Sequence, residues 1–291
     1  MPKQTILFTL ANGKQCRHVI PLLLDLPNVL VRAFVHSQSS ADNLKSDFNS
    51  DKLETFIGDL MYPDNIQNAM KTVHTVFHVG PPMSIHEAHI GILVIQAAQR
   101  AGVRHFIYSS VLHPIRSKLL NHDVKRQVEE YLIESRLNWT ILQPTHVMQN
   151  SNPAAAVKQG KLLVPYTPDN EMGFIDLRDM ADVVIKILKS PEKHYRARYE
   201  LCGENISYTE YAALITKVTG QKVVAEKTDG GALAKRIGLT GDVDFEDRLN
   251  RMFIYYDRWG LVGNSNILEW LLGKPIRTLE QYIKDSVEGS V

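Results

Sequence analysis

The chain has 291 residues, 44% of them apolar, enough to bury a large core as one domain or as a main domain with a smaller lobe. Its 33 basic and 32 acidic side chains leave a net charge of +1, so no global field draws it to nucleic acid or to an anionic membrane. The only cysteines, Cys16 and Cys202, have no partner at metal-ligand spacing, no cleavable leader is visible, and no apolar run approaches the ~20 residues of a bilayer crossing, so a cytoplasmic protein is expected.

In chain order, runs of β-branched and aromatic residues predict strands at 5–10, 29–35, 53–57, 75–79, 105–109 and 139–142. Between them, amphipathic periodicity predicts helices at 14–25, 64–71, 84–101 and 123–135. Such alternation implies an α/β fold with a doubly wound parallel sheet, because each crossover helix must cover one sheet face. Ligands of these sheets bind beyond the carboxyl ends of the strands. After Pro144 the rhythm loosens: strands at 172–176 and 198–201 mix with helices at 177–188, 208–218 and 245–258. The stretch 150–168, richer in Asn, Pro and Gly, reads as the passage into a smaller α+β C-terminal lobe. The expected division is 1–150 and 151–291, the second part interwoven with the first.

The first turn, TLANGKQC at 9–16, raises the question of a nucleotide site. A strand-turn-helix that holds a dinucleotide uses three glycines: for a tight turn, for close approach of backbone to pyrophosphate, and for close packing of helix on strand. Those positions fall on Leu10, Gly13 and Cys16. Gly13, flanked by Asn12, Lys14 and Gln15, still leaves the first N–H groups of a helix open to an anion. Leu10 is the serious departure, since a branched side chain opposes an unusual turn and projects toward the phosphate path. A weakened phosphate site and a plain connection both stay open. At the end of the second strand His36 stands where an acidic residue would hold the ribose of NAD or a basic one the 2′-phosphate of NADP, so neither cofactor is selected.

Later segments resemble the NmrA-like branch of the short-chain dehydrogenase/reductase superfamily: FIGDL (56–60), HFIYSSVLHP (105–114), NHDVKRQVEEYLIESRLNWTILQPTHVMQN (121–150), GFIDLRDMADVV (173–184) and YYDRWGLVGNSNILEWLLGKP (255–275). With the first turn, the resemblance runs from Thr5 to beyond Pro275. It implies a Rossmann domain and a small C-terminal lobe with a cleft between them, NADP(H) or NAD(H) as cofactor, Asp59 near the adenine and Lys125 at the cleft. The reaction is left open among an NAD(P)H-linked oxidoreductase of specialised metabolism, a non-redox isomerase, dehydratase or cyclase using the inherited pocket, and a nucleotide-sensing regulator. One departure stands out: the tyrosine that precedes the lysine by four residues in short-chain dehydrogenases is Asn121 here, which cannot donate a proton in that way.

On a helix starting near Asn121, His122, Lys125 and Glu129 share a face. Lys125 could hold the nicotinamide ribose and His122 could exchange a proton near neutral pH; equally, this is an exposed helix start with Lys125 paired to Glu129. Ser109, closing the fifth strand, could orient a substrate oxygen or simply cap the strand end. Gly80, Pro81 and Pro82 make a stiff turn that would border the nicotinamide. Tyr255, Tyr256 and Trp259 recur at helical spacing, as core or, through Tyr255 and Trp259 with Pro82, as the wall of a flat substrate. His113, His122 and His146 lack a compact ligand spacing, so no metal is expected. The expected partner is a small molecule, bound by a monomer or homodimer.

Overall fold

The computed structural model describes residues 4–229, 231, 232, 235 and 243–289. Strand and helix alternate through the first half: β1 (Gln4–Phe8), α1 (Lys14–Leu24), β2 (Val29–Val35), α2 (Gln38–Phe48), β3 (Leu53–Ile57), α3 (Pro63–Ala69), β4 (Val73–Val79), α4 (Glu87–Ala101), β5 (His105–Ser109), α5 (Leu120–Glu134) and β6 (Trp139–Pro144). There follow β7 (His146–Val147), α6 (Pro153–Gln159), β8 (Lys161–Val164), β9 (Glu171–Ile175), α7 (Leu177–Lys189), β10 (Ala197–Leu201), β11 (Glu204–Ser207), α8 (Tyr208–Thr219), β12 (Val224–Lys227), α9 (Val243–Trp259), α10 (Ser265–Leu272) and α11 (Leu279–Val287).

The described residues form a seven-stranded parallel sheet in the order β3-β2-β1-β4-β5-β6-β10. This is a doubly wound Rossmann-like sheet, and its order reverses between β1 and β4, which opens a crevice at their carboxyl ends. Because helices cover both faces, β1 is apolar on both: Ile6 and Phe8 enter the core under α1 and α7, and Leu7 the core under α4 and α5. The second half is interleaved with the first, since β10 pairs with β6 and α7 packs on α1. The smaller lobe holds the β7-β9-β11 sheet and the β8-β12 pair around Tyr166, Phe174, Tyr211 and Tyr256. Among the described residues no helix is long and apolar enough to cross a membrane.

Two local features position the site. Helix α2 is absent from the sequence reading, because its QSSADNLKSDF buries only Ala41 and Leu44; the Ser37 hydroxyl starts it by accepting from Ser40 N. Helices α4 and α5 meet at Gly91, where a Cβ would lie 2.6 Å from Cγ2 of Val128. One turn earlier on each helix, Glu87 and Lys125 are thereby brought face to face.

Gly91→Val should therefore overpack this contact and lower stability by about 1–3 kcal/mol. Urea unfolding measures this, and an unchanged midpoint would show that the helices do not depend on the glycine.

Candidate active site

Strand β1 ends at Phe8, earlier than the predicted 5–10. Thr9 then ties the chain to β4: its N–H donates to Phe77 O, and its hydroxyl donates to Val79 O (3.0 Å) and accepts from Val79 N (2.9 Å). Leu10 turns with φ 46, the left-handed conformation that a glycine adopts without strain and that costs a branched residue about 1–2 kcal/mol. Gly13 N donates to Leu10 O (2.8 Å) and closes the turn. With φ −72, Gly13 contributes room rather than an unusual conformation; a Cβ would stand 3.1 Å from Leu10 O. Cys16 is fully buried where α1 packs on β1, its thiol reaching Thr9 O (3.5 Å), and burial pushes that thiol up. Leu10 packs on the apolar cluster that includes Phe34 and Leu60. Both lost glycines are thus accommodated, and no side chain caps α1.

Beside the turn lies a cavity of about 250 Å³, with Leu10, Phe34, Leu60 and Ile90 as apolar walls and Asn12, His36 and Asp59 as polar lining. The size suits a nucleoside rather than a whole dinucleotide. His36 is exposed, and Asp59 is fixed by accepting from Met61 N (2.8 Å) while its own N–H donates to Asn65 Oδ1 (3.0 Å). Lys14 reaches away along the chain: its ammonium donates to Gln149 O (2.8 Å) and Asn150 Oδ1 (3.1 Å), and burial lowers its pKa. Ser109 is buried and donates to Gln15 Oε1 (2.7 Å), so its hydroxyl braces the sheet end against the turn instead of standing free for a substrate.

At the end of β4, Gly80 is buried against Glu87, whose Oε1 would lie 2.6 Å from a Cβ on that glycine. The same carboxylate holds Lys125 (Nζ to Oε1, 2.5 Å), with Glu87 1% and Lys125 15% exposed. The pairing of Lys125 with Glu129 read from the sequence is corrected: Glu129 instead accepts from Gln143 Nε2 (2.9 and 3.1 Å), and burial raises its carboxyl. Lys125 also lies 5.9 Å from the ring centre of Tyr108, on which His78 stacks. Burial, and then the Lys125 charge, push His78 down to about 3.

His122 requires a correction too. It is fully buried, with Nδ1 2.9 Å from His113 O and Nε2 2.7 Å from the Tyr256 hydroxyl. A carbonyl only accepts, so Nδ1 carries the proton and Nε2 accepts from Tyr256. Burial pushes the ring to about 4, which leaves a neutral imidazole with both nitrogens engaged, not a group exchanging protons near neutral pH. The aromatics of α9 diverge: Tyr256 is core, Tyr255 is half-buried beneath Arg116, and Trp259 is 60% exposed beneath Arg258. Pro82 is exposed. Glu87, Thr9, His78 and the Tyr256 hydroxyl are site residues that the sequence reading did not select.

The NmrA-like family profile matches residues 2–286. This chain belongs to the NmrA-like family. It is similar to the NAD(P)H azoreductase of Xenophilus azovorans, 26% identical over 271 residues, which cover 90% of this chain and 91% of that one. An NADPH-dependent quinone oxidoreductase of Escherichia coli, solved with NADPH, matches this NmrA-like fold with a TM-score of 0.79 at 24% identity, over 96% of this chain and 98% of that one. NmrA, a negative transcriptional regulator solved with NAD, matches with a TM-score of 0.79 at 19% identity, over 98% and 95% of the two chains.

Three buried histidines and the half-buried His146 set a pH dependence: His78 at about 3, and His105, His122 and His146 at about 4, each lowered by desolvation from 6.5. The unfolded chain protonates these rings near pH 6.5 while the fold resists, so their stability contribution is complete above about pH 6.5 and is lost as pH falls toward 4. Thermal unfolding should show a midpoint level above pH 7 and falling steeply between pH 6.5 and 5, whereas a level midpoint across that window would contradict the neutral buried rings.

Proposed function

We propose that this NmrA-like chain is an NAD(P)H-linked oxidoreductase of specialised metabolism that reduces a small conjugated acceptor of the quinone or azo class, with NADPH as the preferred donor. The observation that carries this reading is the turn: Leu10 holds the left-handed backbone, Gly13 leaves room, and the uncapped N-terminus of α1 opens onto the crevice where strand order reverses. The first N–H groups of α1 would hold a pyrophosphate, and the adjoining cavity would take the adenosine between its apolar walls, with Asn12 and Asp59 at the polar edges.

The residues after β2 favour the phosphorylated cofactor. Positions 36–40, His-Ser-Gln-Ser-Ser, contain no carboxylate to hold a ribose diol, and Ser40 stands beside Asn12 (3.4 Å) at the first turn of α2. Hydroxyls, an imidazole and helix N–H groups suit a 2′-phosphate. Lys125 gives one ammonium proton to Glu87 and keeps two for the nicotinamide ribose, with Gly80 against the same carboxylate and Pro81 lining the adjoining cavity. The bound nicotinamide would supply the hydride. The accompanying proton comes from water in the cleft, since Asn121 replaces the tyrosine of short-chain dehydrogenases and His122 is locked as a neutral positioning ring for Tyr256. The azo and quinone acceptors of the two similar enzymes support the substrate class.

Mixing the protein with NADPH and a panel of quinones and azo dyes should give acceptor-dependent loss of nicotinamide absorbance. In the same assay Leu10→Gly should bind NADPH several-fold more weakly, because the adenosine cavity loses one of its apolar walls, while the relieved backbone strain is common to the free and bound chains and leaves affinity unchanged. NADPH binding without turnover on any acceptor would overturn the reductase reading.

A further inference from the structure

We infer that Glu87 is a positioning residue of this site: it fixes the ammonium of Lys125 for the cofactor. The inference rests on the reductase reading above. A carboxylate at 1% exposure is costly unless it is paired, and the contact of α4 with α5 would be served as well by an apolar side chain. Yet Glu87 Oε1 meets Lys125 Nζ at 2.5 Å, and Glu87 Oε2, also buried, makes no hydrogen bond among the described residues.

Both neighbours of the pair are shaped around it. Gly80 lacks the Cβ that would fall 2.6 Å from Glu87 Oε1, so the turn after β4 rests directly on the carboxylate. Gly91 lets α4 approach Val128 of α5 one turn away, which sets the distance across which Glu87 and Lys125 meet. A lysine has four rotatable carbons and would otherwise sample many positions. Held at one end by Glu87 and lying against the Tyr108 ring, Lys125 is confined to the end of the crevice marked by Gly80. Glu129 shares the helix of Lys125 but is engaged by Gln143, so Glu87 is the carboxylate in contact with the ammonium.

The test is a double-mutant cycle read by NADPH calorimetry, with urea unfolding to verify each fold. Glu87→Gln should weaken NADPH about tenfold in the parent chain and by less than twofold in a Lys125→Met background, because the lysine through which it acts is gone. Equal loss in both backgrounds would mean that Glu87 acts without Lys125, and unchanged affinity in the parent would mean that it positions nothing; either result overturns the inference while leaving the reductase reading intact. If the parent chain binds no NADPH, the reading itself falls and the inference with it. Should Glu87→Gln fail to fold, Glu87→Asp keeps the charge and withdraws it by one methylene; it should also weaken NADPH, and parent-like affinity would overturn the inference.

Discussion

The site depends on one backbone conformation, the left-handed turn at Leu10 that redirects the chain from the central strand into α1. A leucine there is strained, and the surrounding structure over-determines it. Strand β1 is paired on both sides, with β2 and β4, so its end cannot drift. Thr9 adds a side-chain bracket to Val79, and Gly13 N closes the turn on Leu10 O. The fully buried Cys16 sets α1 against the end of the strand, its thiol reaching Thr9 O. Sheet pairing thus holds what a glycine would otherwise make easy, and the N-terminus of α1 stays free of a side-chain cap.

The other end of the crevice is built by burial of charge and polarity rather than by backbone strain. Gly80, Glu87, Lys125, Tyr108 and His78 form a largely buried cluster in which the ammonium is held by a carboxylate beside the Tyr108 ring, on which His78 stacks. Low dielectric there strengthens the ion pair and keeps His78 neutral. The same physics removes His122 from proton exchange, since Tyr256 and the His113 carbonyl complete its hydrogen bonds. The neutral, fully engaged His122 and the Lys125 ammonium held by Glu87 are therefore two consequences of burial.

The parallel sheet was legible because strands covered on both faces must be apolar along their whole length, as VLVRAFV and HFIYS largely are. Helix α2 was not legible, since a polar helix with two buried residues leaves no periodic signal. The short strands β8 and β12 escaped for another reason: each pairs with a strand more than fifty residues away. Lys125 and His122 were visible as residue types on one helix face, but their environments were not. The sequence offers Glu129 as the neighbour of Lys125, whereas Glu87 arrives through a helix contact set by Gly91. Tyr256 reaches His122 across 134 residues of chain, which turns a helix-start histidine into a core one. Leu10 could be recognised as a departure, but that the sheet would hold it in the left-handed region is a property of the assembled fold.

The most direct measurement is calorimetric titration of the purified, cofactor-free chain with NADPH and, separately, NADH. The account predicts one site of micromolar affinity for NADPH, about −8 kcal/mol, and at least tenfold weaker binding of NADH. No heat of binding for either nucleotide at millimolar concentration would contradict it, because the turn at Leu10 would then be a connection and not a phosphate site.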